Sequence, residues 1–502
     1  MKKIFILAIA ALSLTSCRLD LKPDSDLTYN GYWDTEEAVR ANRVGIYAKF
    51  RDYAYTLWRM GEVRSDIWNG KTIETAYDEL LIVNDITATK VPYTGWASLY
   101  TMIHYVNDYI KNEATAPGTG SAERNRMLGE VYGIRAYLYF TLLKNWGDVP
   151  IVTEPLTGAP DAETRNKKRE PKAKVAEFIK SDIQKSLDLF GSNSSLYNGK
   201  NIYWSKPATL ALKGEAYLWF ANVLNTGNAD LVEAKNALTQ ITGFSLVPEF
   251  KNLWGVTKEN NSEFIFAFDY QVNQATHFLN GVLTGRKIDV AAYYDKNGNS
   301  LSDFVVSGGN RYGINDKIIN IFENDPEDLR AESTFMLMYA NNNGGAGYPH
   351  YNPANYKATM WLKFLGDVED GSRNSYTNMP MYRYADVLLM LAEAKNKLGE
   401  DPSSEINQIR KRAYGANYNN HIYTNSSVDA NTKAILDERL REFLGEGKRW
   451  WDLMRAGGNY IFQEVPSLNQ APISGNPKKL YLPISQGMID ADPNNMTQTD
   501  GY

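Results

Sequence analysis

Gly129-Glu130-Val131-Tyr132-Gly133-Ile134-Arg135-Ala136-Tyr137, running on to Asn145-Trp146-Gly147-Asp148-Val149-Pro150, is the stretch that decides the fold. Val131, Ile134, Leu138 and Leu142 recur at three- and four-residue intervals and make one helical stripe, widened by Ala136, Tyr139 and Leu143. The spacing predicts a helix over 124–146. Gly147-Asp148 stops it, and Pro150, which has no amide hydrogen, rules out continuation.

Outward from this helix the same period recurs on both sides. Thr35-Glu36-Glu37 reads as an N-cap followed by first-turn acids, opening a helix to about 54. A second is predicted over 93–113, where Trp96, Leu99, Tyr100, Ile103, Val106 and Ile110 share a face. Further helices are expected at 171–189, 206–224 and 230–241. Helices in consecutive antiparallel pairs suggest a TPR-like array, although no strict 34-residue repeat is legible.

From 245 to 373 the character changes. Glu263 to Phe268 is short, aromatic and strand-like, and the Asn-, Gly- and Tyr-rich segments 293–313 and 339–356 read as loops. Helical pattern returns at 384–398, 404–414, 432–444 and 447–455, and Leu480-Tyr481-Leu482-Pro483 reads as a short strand. The expected fold is predominantly α: a TPR-like helix-pair array (35–244) packed against an irregular, loop-rich half with short β-strands (245–373). A C-terminal helical region (374–502) packs back on the array.

The first residues address the chain to a membrane. Lys2 and Lys3 precede an apolar run from Ile4 to Leu14, too short to span a bilayer, and then Leu14-Thr15-Ser16-Cys17. This order resembles a bacterial lipoprotein signal (1–16), cut before the cysteine that becomes the lipidated N-terminus. An ordinary secretory signal shares its first features. Cys17 is the only cysteine, so no disulfide competes for it. Removing 16 of the 502 residues leaves 486, and the loss of two lysines takes the formal charge from −5 to −7. Such a chain is a poor partner for nucleic acid. Residues 17–34 are polar and read as a tether.

Catalytic signatures are missing. There is no GxSxG, P-loop, HExxH or GxGxxG, and His104, His277, His350 and His421 are scattered. No cofactor or metal set is indicated. Asp295-Lys296-Asn297-Gly298-Asn299 lacks the glycine and terminal acid of a calcium loop and reads as a solvated turn. Asp386 and Glu393, seven residues apart on one helical face, suit ion pairs with arginine better than acid–base catalysis.

Five segments carry a family resemblance. Gly129–Tyr137 through Asn145–Pro150 resembles the GEAxFLRAxxYF…YGDVP signature of the SusD/RagB family. Tyr382-Arg383-Tyr384-Ala385-Asp386-Val387-Leu388-Leu389-Met390-Leu391-Ala392-Glu393-Ala394 is similar to its RYADVLLMxAEA helix, and Ile406–Ala413 to its INxxRxRA. Glu438–Phe443 with Gly447–Leu453 resembles ERxxEF…GxRxxDLxR. Leu482-Pro483-Ile484 and Thr499-Asp500-Gly501-Tyr502 resemble the family's ending, with Val131, Leu482 and Thr499-Asp500 departing from the usual residues. The physics of these motifs is structural: Ala385, Ala392 and Ala394 permit close helix approach. Arg135, Arg383, Arg410 and Arg439 suit bidentate pairing with buried carboxylates. Trp450 and Trp451 suit the core. The resemblance implies a non-enzymatic, surface-displayed outer-membrane lipoprotein. Such a protein binds glycans or other nutrients and works with a TonB-dependent transporter of the SusC type. A peptide- or protein-binding TPR-type uptake or assembly module is the alternative.

The ligand site is expected outside these shared motifs. Tyrosine (33) and tryptophan (11) far outnumber histidine (4), and their flat apolar faces with polar edges suit the C–H faces of sugars. Arg64-Ser65-Asp66-Ile67-Trp68-Asn69-Gly70 places a tryptophan between an acid and an amide, so Asp66, Trp68 and Asn69, with Tyr77 nearby, are candidate ligand residues. The alternative is that the Trp68 ring anchors the loop to the core. A second cluster comprises Tyr294 beside Tyr293 and Asp295, then Tyr348, Tyr351 and Arg373. Trp96 and Trp361 lie in patterned elements and are expected inside.

Overall fold

The computed structural model describes residues 33–91, 95–113, 120–158, 166–340, 355–470 and 473–502. Numbering only helices of eight residues or more, the first half contains α1 (Glu36–Asp52), α2 (Ala54–Glu62), α3 (Ala97–Glu113), α4 (Ser121–Trp146), α5 (Lys172–Phe190), α6 (Lys206–Val223) and α7 (Asn228–Thr239). Thr35 Oγ1 accepts the Ala38 N–H at 3.1 Å, the N-cap its sequence position implies. Helix α3 starts at Ala97, later than the expected 93.

Helices α4 and α5 form one closely packed pair, and α6 and α7 another. Gly133 makes room on α4: a Cβ there would lie 2.1 Å from the Trp204 indole nitrogen. The Arg135 guanidinium grips Asp182 of α5 through two bonds, at 2.7 and 2.8 Å, while Arg43 of α1 does the same to Glu130 of α4. These buried pairs tie the helices together but add little net stability, since desolvation offsets their attraction.

Strand β1 (Phe264–Phe268) is wholly buried and pairs antiparallel with β7 (Met379–Arg383). Between them lie α8 (Asp316–Glu323) and a three-stranded antiparallel sheet of β2 (Tyr293–Tyr294), β3 (Phe335–Ala340) and β4 (Tyr356–Trp361). A hairpin of β5 (Asp367–Glu369) and β6 (Ser372–Asn374) completes this half. The chain ends in α9 (Tyr384–Lys397), α10 (Ser403–Tyr414), α11 (Val428–Phe443) and α12 (Arg449–Ala456). The architecture is predominantly α, as expected.

One apolar core runs from Trp33 to Ile484 through both the helical and the irregular regions, and contains Trp96, Trp361, Trp450 and Trp451. A smaller core of Val290, Leu301, Val306, Met338, Ala358 and Met360 lies under the β2–β3–β4 sheet. The arginines cross-link these layers as their sequence context implies. Arg383, wholly buried, reaches Glu263 (2.7 Å), Glu442 and Glu446 (2.9 Å). Arg439 meets Asp452 (2.8 Å), Arg410 meets Glu438 (2.8 Å) and Arg455 meets Glu393 (2.9 Å). Asp386 takes Lys448 at 2.7 Å.

The expected strand at 480–483 does not form. Leu480 closes a 3₁₀ turn from Pro477, and Leu482 donates one hydrogen bond, to the Asn145 carbonyl at 2.7 Å. Pro483 has no donor to extend it into a ladder.

Candidate functional site

Segment 68–78 is drawn across the irregular half by segment 309–315. Trp68 and Ile314 form an antiparallel bridge, Gly70 N donates to Gly313 O at 2.9 Å, and Tyr77 N to Arg311 O at 3.2 Å. Gly70 is required for this approach, because a Cβ would lie 1.9 Å from the Ile314 carbonyl oxygen. Asn310 is the knot: its Oδ1 accepts from Ile73 N (3.0 Å) and its Nδ2 donates to Thr359 O of β4 (2.7 Å). Ile73 then packs on the smaller core beside Tyr293 and Phe304. In this way segment 68–78 is fixed against segment 309–315 and strand β4.

Several expected ligand residues are used internally instead. Trp68 is 2 % exposed and packed among Trp58, Tyr312 and Trp361, with centroids 5.6–5.9 Å away, so it anchors the loop and offers no platform. Asp66 is buried against Arg449 (2.8 Å) and Lys317 (2.8 Å). Burial alone would push its carboxyl up, but those two cations overcome it and hold it down at about 2. The Arg373 guanidinium donates to the carbonyls of Val305 and Gly366 and lies over Phe304, which makes it a loop brace. Tyr294 is half-buried in β2 opposite Tyr339. Asn69 and Tyr77 are exposed. Tyr348, Tyr351 and Cys17 lie outside the described residues.

The accessible chemistry centres on Tyr77, 42 % exposed. The Arg311 guanidinium lies 4.3 Å from its ring centroid and pairs with Glu74 at 2.7 Å. Arg286 pairs with Asp289 (2.6 Å) and approaches Glu74 (3.6 Å). Tyr312 supports the ring edge-on at 6.5 Å, and its hydroxyl is tied to Asp78, which Arg59 grips in turn. Lys71 spans to β4, donating to the Tyr356 carbonyl at 3.2 Å. Glu74, Arg286 and Arg311 carry no spacing signal in the sequence, because segments more than 200 residues apart bring them together. An aromatic face flanked by guanidinium and carboxylate groups can stack a sugar ring and bridge its hydroxyls, each bond contributing about 0.5–1.5 kcal/mol net, more with a charged partner. Among the described residues no group of three or more His, Cys, Asp or Glu could hold a metal ion, and no helix is long and apolar enough to cross a membrane.

Comparison with known proteins gives consistent matches. Residues 286–502 match the SusD family, and residues 18–218 match a family described as "Starch-binding associating with outer membrane". SusD-like protein P38 of Formosa agariphila is 26 % identical over 490 residues, 90 % of this chain and 90 % of that one. The solved structure of B. fragilis NanU is 31 % identical, superposes with a TM-score of 0.84, and is matched over 96 % of this chain and 99 % of its own. The starch-binding protein SusD of Bacteroides thetaiotaomicron is 31 % identical over 150 residues, 28 % of this chain and 25 % of that one.

Proposed function

The chain belongs to the SusD family, whose members bind glycans and associate with the outer membrane, and from that premise we propose that it is a cell-surface lipoprotein that captures an oligosaccharide or polysaccharide and passes it to a TonB-dependent transporter of the SusC type. Cys17 carries the lipid, and the 17–34 tether holds the body at the membrane while it moves as a lid. The protein acts by binding, without a chemical step.

The observation that carries the glycan reading is the exposed Tyr77 ring, backed by Arg311 and flanked by Glu74, on a face assembled from loops. Arg286 and its partner Asp289 supply further hydroxyl partners beside Glu74, and the exposed Asn69 on the same segment is a further candidate. Tyr294 and Arg373 act away from this ring, Tyr294 in the sheet opposite Tyr339 and Arg373 as a brace between the Val305 and Gly366 loops. Calorimetry on the soluble chain beginning at residue 18, run against starch, fructan, xylan and laminarin oligosaccharides, tests this reading. Saturable binding of one of them without released sugars supports it. Release of sugars, or no binding to any glycan, rejects it. Co-purification with the transporter from outer membranes tests the partnership.

A further inference from the structure

A cleft of about 340 Å³ opens at the opposite end of the β2–β3–β4 sheet from Lys71 and Tyr356. Its floor is apolar: Phe335 and Leu337 of β3 and Phe322 of α8 are buried, and Met336 and Leu362 are half-buried. Leu329, 47 % exposed, stands at its edge beside Pro326. Phe322 and Phe335 meet edge to face at 5.5 Å and are both buried, so neither ring stands out as an exposed platform for a sugar.

The rim is acidic. Asp295, Glu323, Asp325, Asp328 and Glu332 line it, against one cation, Lys296. Arg441 pairs with Asp325 (3.1 Å) and Asp328 (3.0 Å), the buried Arg330 grips Asp328 at 2.7 Å, and Asp295 is engaged by the backbone N–H groups of Asn297 and Asn299 in its own turn. Among the described residues no ion pair answers Glu323 or Glu332. The cleft therefore joins an apolar floor to a net negative rim. That combination fits a cation carried on an aliphatic stem, because lysine and arginine bury their methylenes while the charge stays at the wet edge. Met336 adds an adaptable contact for a neighbouring apolar side chain.

We propose that this cleft is a second binding site, which takes a peptide segment carrying lysine or arginine next to aliphatic residues. It is separate from the Tyr77 face and does not depend on what that face binds. Both ligands can be held at once.

The test is fluorescence anisotropy with a fluorescein-labelled hexapeptide of alternating leucine and lysine, using the full soluble chain. Saturable binding is expected, at least fivefold weaker when NaCl rises from 50 to 300 mM. It should also weaken at least fivefold in the Glu323→Gln/Glu332→Gln double variant and measurably in Leu329→Ser, with unchanged circular dichroism and melting. The proposal is overturned by absence of saturable binding, by equal binding of a leucine–glutamate hexapeptide, by an unaltered double variant, or by displacement of the peptide with maltohexaose.

Discussion

Glu62 Oε2 accepts the backbone N–H of Gly447 at 3.0 Å, joining the end of α2 to a turn 385 residues later in the chain. The same carboxyl takes Gly445 N (2.9 Å) and Lys448 N (3.0 Å), and the Trp58 indole donates to Gly445 O at 2.9 Å. No cation among the described residues pairs with Glu62, so backbone donors alone hold it.

That arrangement makes stability depend on pH. Burial pushes the Glu62 carboxyl up to about 8 against the pull of the backbone donors, above its ordinary 4.5. Between those values the folded chain keeps a proton that the unfolded chain has lost, so this group's contribution to stability falls as pH rises from about 4.5 to about 8. Glu62→Gln removes the titration and sets an amide N–H₂ against a backbone donor, costing about 1–3 kcal/mol. Urea melts at pH 5 and 8.5 should show the gap between wild type and variant narrowing at the higher pH.

Asp66 behaves in the opposite sense. Its folded value of about 2 lies below the ordinary 3.8, so its stabilising share is complete above pH 4 and is lost as pH falls towards 2. Asp66→Asn strands Arg449 in the interior and should cost about 3–5 kcal/mol at pH 7 in chemical denaturation, with the deficit shrinking below pH 3.

Tyr77→Ala and Trp68→Ala should separate binding from folding. Tyr77→Ala is expected to weaken glycan binding at least tenfold with a melting temperature close to wild type. Trp68→Ala should destabilise by about 3–5 kcal/mol, because it empties a packed site against Trp58, Tyr312 and Trp361. Calorimetry and thermal melts on both variants decide the matter, and a stable Trp68→Ala protein with lost binding would reverse the assignment.

Cys17→Ala should move the protein from the membrane fraction to the soluble fraction and abolish incorporation of labelled fatty acid. Membrane retention of the variant would contradict lipid anchoring.

Much of the helical framework was legible because it rests on local period and termination. The 124–146 stripe, the Thr35 cap and the buried run at β1 all appear where the residues imply. The candidate site was only partly legible. Arg64–Gly70 looks polar on paper, yet Arg64 donates to the Leu480 carbonyl and Asp66 pairs with Arg449, partners 416 and 383 residues away. A polar stretch whose groups find distant partners becomes core, and Trp68 goes in with it.

The sequence by itself determined most of the long helices, though not α2 or α8, and which arginines would need carboxylates, because helix period and the cost of an unpaired buried charge act on nearby or chemically obligatory partners. Only the tertiary structure decided which aromatic ring faces solvent. Tyr77 stays exposed because Asn310 pins Ile73 to the sheet while Tyr312 fills the space beneath the ring, and Trp68, nine residues earlier, is enclosed by rings from elsewhere in the chain. Exposure is a property of what packs above a side chain, and two of the three rings that enclose Trp68, Tyr312 and Trp361, are hundreds of positions away.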